Sequence, residues 1–338
     1  MDAMRETARE LVAPGKGILA ADESSGTIEK RFDQIGVEST EESRRAYRQM
    51  LFTTPGLGDH ISGAILYDET IRQSTDQGSP FTEVLEKAGM LPGIKVDTGA
   101  KPLAFFPQET VTEGLDRLRE RFAEYRDLGA RFAKWRATYV IGDDTPTEFA
   151  VLANGHAMAR YAALSQEAGI VPIVEPEVLM DGDHDIGACE TATGRALEVL
   201  FTQLLQHGVE LAGTLLKVNM VLPGKASSDQ RGDAAIADAT LRTLNAYVPA
   251  DVPGVVFLSG GMSDEEATSR LNEMNRRGEA PWQLSFSYGR ALQQPSLKAW
   301  AGSADNVQAA QAALAHRARM NGFARNGEWS PSMEDEAA

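Results

Sequence analysis

The sequence predicts a closed α/β barrel of eight parallel strands, (β/α)8, as a single domain with a flexible C-terminal tail, and three observations predict it. Short apolar runs that end in a polar or charged residue recur at intervals of roughly 30 to 40 residues. Segments with helical periodicity separate them, and no break rich in Pro, Gly and Ser interrupts the series. Alternation of that kind implies parallel strands with crossover helices, and eight near-continuous apolar strands fit a closed barrel better than an open sheet.

The eight runs are, in order, 17–21, 61–67, 91–96, 131–139, 170–174, 214–222, 254–258 and 284–286. Between the third and fourth, Leu115, Leu118, Phe122 and Tyr125 share one face of a helix expected over 112–128. After the fourth, Thr145 followed by Pro146 reads as an N-cap with proline at the first helical position. On the apolar face of that helix His156 lies near Phe149 and Leu152 and is expected to pack there. After the seventh, Ser263 with Glu266 three residues on reads as a capping box. The barrel is expected over 1–323. Residues 324–338, with Trp329 and Pro331 and no apolar period, are expected to form a mobile surface segment.

Composition bounds the function. The 338 residues carry 33 basic and 49 acidic side chains, a net charge of −16, which argues against sequence-independent nucleic-acid binding. The single cysteine, Cys189, supports neither an internal disulfide nor a thiolate metal cluster. No apolar run is long enough to span a membrane and no secretory leader is recognisable, so a cytoplasmic enzyme is expected.

Chemistry in such barrels sits where strands hand over to loops at their C-terminal ends. Strand one delivers Asp22, strand three Lys95 and Asp97, strand four Lys134 and Arg136. Strand five delivers Glu175 and Glu177, strand six Lys217 and Asn219, strand seven Ser259-Gly260-Gly261, and strand eight Ser287-Tyr288-Gly289-Arg290. Period-two alternation puts Lys134 with Arg136, and Glu175 with Glu177, on one face of their strands.

The chain uses nine lysines against 24 arginines, yet three of the nine fall within or at the ends of apolar strands. Lys217, inside Leu215-Leu216-Lys217-Val218, would be costly as an unpaired ammonium. Two readings are open: a core lysine salt-bridged to Glu175 or Glu177, or an amine whose pKa is depressed by burial and by Lys134 so that it attacks carbonyls. A Schiff-base lysine needs a proton shuttle, which Glu175 and Glu177 could supply. Asp22 reads as a base for a substrate hydroxyl or as a helix N-cap, a role that Ser24 or Ser25 could also fill.

Ser259-Gly260-Gly261 and Gly289-Arg290 look built for a phosphate, or else for turns alone. Lys95 with Lys30 and Arg31 could hold a second anion, or mark a solvated helix start. The five histidines make no metal-binding spacing, and Asp181-Gly182-Asp183-His184-Asp185 reads as a turn, so neither a metal nor a cofactor is expected.

Seven blocks in order carry a resemblance: Gly15-Lys16-Gly17-Ile18-Leu19-Ala20-Ala21-Asp22-Glu23-Ser24, Gly93-Ile94-Lys95-Val96-Asp97, Phe132-Ala133-Lys134-Trp135-Arg136, Pro172-Ile173-Val174-Glu175-Pro176-Glu177, Gly213-Thr214-Leu215-Leu216-Lys217, Phe257-Leu258-Ser259-Gly260-Gly261 and Ser287-Tyr288-Gly289-Arg290-Ala291-Leu292. From about Arg9 to Leu314 the chain resembles the class I, Schiff-base fructose-bisphosphate aldolases. The resemblance implies a lyase of glycolysis and gluconeogenesis that cleaves fructose 1,6-bisphosphate to dihydroxyacetone phosphate and glyceraldehyde 3-phosphate. It implies that Lys217 forms the iminium at C2, that Glu175 and Glu177 shuttle protons, that Lys134 keeps the lysine's surroundings positive, and that Asp22 takes the C4 hydroxyl proton.

Ser259, Gly260, Gly289 and Arg290 would then bind the C1 phosphate, Thr27, Arg31 and Lys95 the C6 phosphate, with Arg136 among the substrate contacts. Sugar phosphates are the implied partners, and animal and plant members are usually homotetramers. Val218 stands where the family usually has proline and Thr27 where it usually has serine. Animal members also end in a tyrosine that assists proton transfer at C3, whereas the last tyrosine here is Tyr288. The rivals are a Schiff-base aldolase for another phosphorylated sugar and a non-catalytic homologue kept as a binding module.

Overall fold

The structure, a computed structural model, describes residues 1–278 and 280–335. Its strands are β1 (Gly17–Ala21), β2 (Ile61–Leu66), β3 (Leu91–Lys95), β4 (Gly99–Pro102), β5 (Thr110–Glu113), β6 (Phe132–Tyr139), β7 (Val171–Val178), β8 (Leu215–Val218), β9 (Gly254–Phe257) and β10 (Gln283–Tyr288). Its α-helices are α1 (Asp2–Leu11), α2 (Ser25–Asp33), α3 (Glu41–Phe52), α4 (Asp68–Ile71), α5 (Phe81–Lys87), α6 (Leu118–Asp127), α7 (Glu148–Glu167), α8 (Ile186–Gln206), α9 (Asp233–Tyr247), α10 (Asp264–Arg277), α11 (Arg290–Trp300) and α12 (Val307–Asn326). Eight strands close in the order β1-β10-β9-β8-β7-β6-β3-β2, every neighbouring pair parallel. This is the expected (β/α)8 barrel, and each predicted run overlaps one of its strands.

Inside the barrel the period-two rule separates two chemistries along each strand. Ile18 and Ala20 of β1, Ile65 of β2, Leu91 of β3, Phe132 of β6, Val171 and Ile173 of β7, Leu215 of β8 and Val256 of β9 form one buried cluster with Met4, Ala8, Leu11 and Val12 of the N-terminal segment. Helix α1 therefore closes the N-terminal end of the barrel. Gly63 and Gly93 make room for the Phe132 ring, since a Cβ on either would collide with it. The alternate residues, Trp135, Val174, Leu216, Phe257 and Phe286 among them, face outward into the larger cluster under the helices. Continuing the inward parity one or two steps past the apolar floor reaches Asp22, Lys95, Lys134, Arg136, Glu175, Glu177 and Lys217.

Several elements depart from expectation. Thr112 and Glu113 lie in β5, which pairs antiparallel with β4, so the helix starts only at Leu118; its apolar face of Leu118, Phe122 and Tyr125 is as predicted. The cap of α7 is Thr147, whose side chain accepts from Ala150 N, and Pro146 precedes it in a cis peptide. Thr147 wins the position because Glu109 accepts from both its N–H (2.7 Å) and its hydroxyl (2.6 Å). His156 sits on the exposed face of α7, edge-on to His207 with ring centroids 4.9 Å apart, because the helix buries 150, 151, 154, 157 and 158 instead. The capping box of Ser263 and Glu266 forms as read.

Strand β7 runs four residues beyond the predicted 174, carrying Glu175 and Glu177 within the sheet, while β8 stops at Val218 and leaves Asn219 just past its end. Helix α12 continues to Asn326, three residues past the expected boundary at 323. Of the expected tail, 324–335 are described. Trp329 packs against the outer core and donates its indole N–H to Glu334, and Glu334 pairs with Arg317 at 2.5 Å. Residues 336–338 lie outside the described residues.

Candidate active site

Four side chains from four strand ends form an alternating chain of charge at the C-terminal mouth. Asp22 Oδ2 lies 2.7 Å from Lys134 Nζ, Lys134 Nζ 3.2 Å from Glu175 Oε2, and Glu175 Oε1 3.0 Å from Lys217 Nζ. Lys134 is 3% exposed, Glu175 2% and Lys217 5%, so these contacts act largely without water. At an effective dielectric near 20, each contact supplies about 5 kcal/mol of Coulomb attraction, opposed by several kcal/mol for desolvating each ion. The alternation of sign is what makes four buried charges tolerable together.

The same geometry sets protonation. Burial by itself would raise the Asp22 pKa, yet Lys134 and then Lys217 outweigh it and hold the carboxyl well below its ordinary value. Burial likewise opposes ionisation of Glu175, and Lys134 and Lys217 lower its pKa in spite of that. For Lys134, burial favours the neutral amine, but Asp22, Glu175 and Asp97 hold it well above the ordinary lysine value. At neutral pH the site therefore presents two carboxylates as proton acceptors around a permanent ammonium.

The remaining predicted residues fall into two groups around this centre. Arg136 donates from Nε to Glu177, and Gly260 lies beside Glu177, where an added Cβ would come within 3.2 Å of Oε1. Ser259 is buried at the end of β9. Lys95 pairs with Asp97 at 2.6 Å and also donates to the Asp97 carbonyl, while Asp97 accepts from Arg136 N. Thr27 is exposed, its hydroxyl 3.0 Å from that of Ser24; Ser24 is the N-cap position of α2, and Asp22 is committed to Lys134 instead. Arg290 is exposed at the start of α11 and makes no ion pair among the described residues.

Arg31 is not placed with Lys95. Its guanidinium pairs with Glu23 at 2.5 Å and lies 3.6 Å from where a Cβ on Gly289 would stand. The reason is topological: β1 is hydrogen-bonded to β10 on one side, so the helix after β1 reaches the strand-eight corner, whereas Lys95 lies two strands away in the other direction. Ser287, named at a strand end but given no role from sequence, has a buried hydroxyl without a hydrogen-bond partner. Glu23, Arg48 and Gln293 are buried and hydrogen-bonded to one another; Arg48 and Gln293 carry no local motif, and Glu23 lies in the first of the seven blocks without a signal of its own. Tyr288 is buried and donates to the Ala267 carbonyl, away from the mouth. The 181–185 segment, read as a turn, lies between β7 and α8, and its last residue, Asp185, caps α8 by accepting from Ala188 N; no group of three or more His, Cys, Asp or Glu side chains suited to a metal ion occurs among the described residues. No helix among them is long and apolar enough to cross a membrane.

Comparison with known proteins gives a consistent answer. The family model described as fructose-bisphosphate aldolase class-I matches residues 3–338. A probable fructose-bisphosphate aldolase class 1 of Xanthomonas campestris is 55% identical over 330 residues, covering 97% of this chain and 99% of the relative. Fructose-bisphosphate aldolase 2 of Caenorhabditis elegans is 50% identical over 331 residues, covering 97% and 90%. A solved fructose-bisphosphate aldolase from Plasmodium falciparum superposes with a TM-score of 0.96 at 46% identity, covering 97% of this chain and 95% of that one. With a family model matching residues 3–338 and relatives 50% and 55% identical over 97% of its length, the chain belongs to the class I fructose-bisphosphate aldolase family.

Proposed function

We propose that this protein cleaves fructose 1,6-bisphosphate reversibly to dihydroxyacetone phosphate and glyceraldehyde 3-phosphate through an iminium on Lys217. The observation that carries the assignment of residues is the Lys217 amine at 3.0 Å from the buried Glu175 carboxylate, within reach of direct proton transfer. Glu175 takes a proton from the Lys217 ammonium, and the freed amine adds to the C2 carbonyl. Protonated Glu175, with Glu177 beside Arg136, returns a proton to the departing hydroxyl, which leaves as water. Asp22 accepts the C4 hydroxyl proton as the C3–C4 bond breaks, the electron pair passes into the iminium, and the aldehyde product leaves. Protonation of the enamine at C3 and hydrolysis of the iminium release dihydroxyacetone phosphate and restore the amine.

Lys134 serves as the fixed cation that keeps Asp22 and Glu175 ionised between turnovers. Ser259, Gly260, Gly289 and Arg290 are proposed to hold the C1 phosphate, and Thr27 and Lys95 the C6 phosphate; for Arg31, read from sequence with the C6 group, its approach to Gly289 supports a contact at the C1 corner instead. The assignment is tested by incubating the protein with dihydroxyacetone phosphate, borohydride and a chelator, then measuring intact mass and mapping peptides. An adduct on Lys217 is expected. No adduct, with cleavage abolished by the chelator, would overturn it.

A homo-oligomer is proposed as well, supported by apolar side chains left in water: Phe105 is fully exposed, Phe149 and Leu152 are half exposed, and Leu205 is 60% exposed. Light scattering at micromolar concentration checks it, with a tetramer mass expected. A cytoplasmic location is in keeping with a relative from Arabidopsis thaliana named cytosolic, 54% identical over 315 residues.

A further inference from the structure

Behind Asp22 lies a buried polar network that the reaction as described does not use. Gln293, fully buried in the first turn of α11, donates from one amide nitrogen to the Ala20 carbonyl (2.6 Å) and to Glu23 Oε1 (2.9 Å). Those acceptors flank Asp22 in the chain, two residues before it and one after. The amide oxygen accepts from the Tyr47 hydroxyl at 3.1 Å, which fixes the orientation of the amide. The second oxygen of Glu23 is held by Arg48 at 2.6 Å.

A primary amide with no exposure costs stability unless each group is bonded, and an apolar side chain would fill the same space more simply. What the amide adds is direction. Asp22 stands one residue past the end of β1, where ladder hydrogen bonds no longer fix the backbone, and the Gln293 grip spans that point. Gln293 also lies three residues after Arg290, on the same helix turn, and its backbone N–H bonds the Gly289 carbonyl.

We propose that Gln293 is the positioning residue for the Asp22 carboxylate, and that through it the Gly289-Arg290 anion corner and the proton acceptor are one rigid unit. This rests on the reading of Asp22 as acceptor of the C4 hydroxyl proton. A misaimed base slows the bond-breaking step without touching iminium formation, so the two steps separate the effect from a general loss of structure.

The test is a double-mutant cycle of Gln293→Met and Asp22→Asn, measuring cleavage of fructose 1,6-bisphosphate and, separately, the rate of borohydride trapping with dihydroxyacetone phosphate. Gln293→Met keeps the shape and removes the donors. It is expected to lower kcat for cleavage about tenfold or more, with KM and the trapping rate within about twofold. In the Asp22→Asn background it is expected to cause no further loss beyond about twofold. Additive losses, or equal losses in cleavage and trapping, would overturn the proposal while leaving the Asp22 reading intact. Wild-type cleavage by Asp22→Asn alone would overturn that reading first and the inference with it. Should Gln293→Met fail to fold, Tyr47→Phe removes the shorter of the two donors to the amide oxygen, leaving Arg48 Nη1 at 3.5 Å, and is expected to show the same non-additivity at about threefold in kcat.

Discussion

The two ends of the barrel interior are built from the same strands at the same parity, yet they hold opposite chemistry. At the floor, Ile18, Leu91, Phe132, Val171 and Leu215 meet the α1 segment in a dry apolar cluster. Two to four residues further along the same strands stand Asp22, Lys95, Lys134, Glu175 and Lys217, a lattice of alternating charge. The floor gains from transfer of apolar surface out of water, whereas the mouth gains little net energy from ions that must be desolvated to meet. The difference implies a division of labour: the floor holds the barrel shut, and the mouth places reactive groups at modest or no benefit to stability.

The sharpest way to break that division is Lys217→Met. Glu175 keeps Lys134 as a partner, so the fold is expected to survive with Tm within a few degrees, while cleavage falls about 10^4-fold or more, the scale of a lost nucleophile. A comparable loss of Tm would show that the mouth carries stability after all. Lys134→Met should strike both properties, because it leaves Asp22 and Glu175 buried around a missing cation; removing one partner of such a pair costs about 3–5 kcal/mol, and urea unfolding measures it.

The mirror experiment is Phe132→Ala at the floor. It is expected to cost about 3–5 kcal/mol of unfolding free energy, with kcat per folded molecule unchanged within about twofold. Acid sharpens the comparison further. The folded pKa values of Asp22 and Glu175 lie below their ordinary values of 3.8 and 4.5, so the stability these carboxylates contribute is complete above about pH 4.5 and is lost as pH falls through the lower folded values. Thermal melts between pH 6 and pH 3 should show Asp22→Asn losing less stability than wild type over that range, while Phe132→Ala keeps the wild-type slope. The smallest effect is expected from Glu334→Gln, which loosens the tail from Arg317 and should shift Tm by a degree or two, with cleavage unchanged.

Where an element was legible in the sequence, a local pattern and the tertiary environment agreed. The cores of all eight barrel strands are runs buried on both faces, so they read as continuous apolar segments. The extension of β7 was hidden because its inward residues, Glu175 and Glu177, face a polar mouth, and apolarity stops being the signature of a strand there. Thr145 and Thr147 are equally good caps by composition, and only Glu109, 38 residues earlier, decides between them. The site lysines and carboxylates stood out because charge inside an apolar run is conspicuous. Gln293 and Arg48 did not, since each lies on an ordinary helix and acquires meaning only from residues more than 20 positions away. Arg31 was grouped with Lys95 by its charge, and the order of strands around the barrel separates them.

The helix across the N-terminal end of the barrel has a bearing on traffic. With Leu11 and Val12 packed into the apolar floor cluster, the N-terminal end of the barrel is closed, and the charged groups stand at the opposite mouth. Whatever enters must leave by the route it came. In the proposed cycle the aldehyde fragment has to exit past the charged rim while its three-carbon sibling is still tethered to Lys217, so departure has a fixed order, and a bulky group lodged at the rim would trap the first fragment inside and favour re-joining over release.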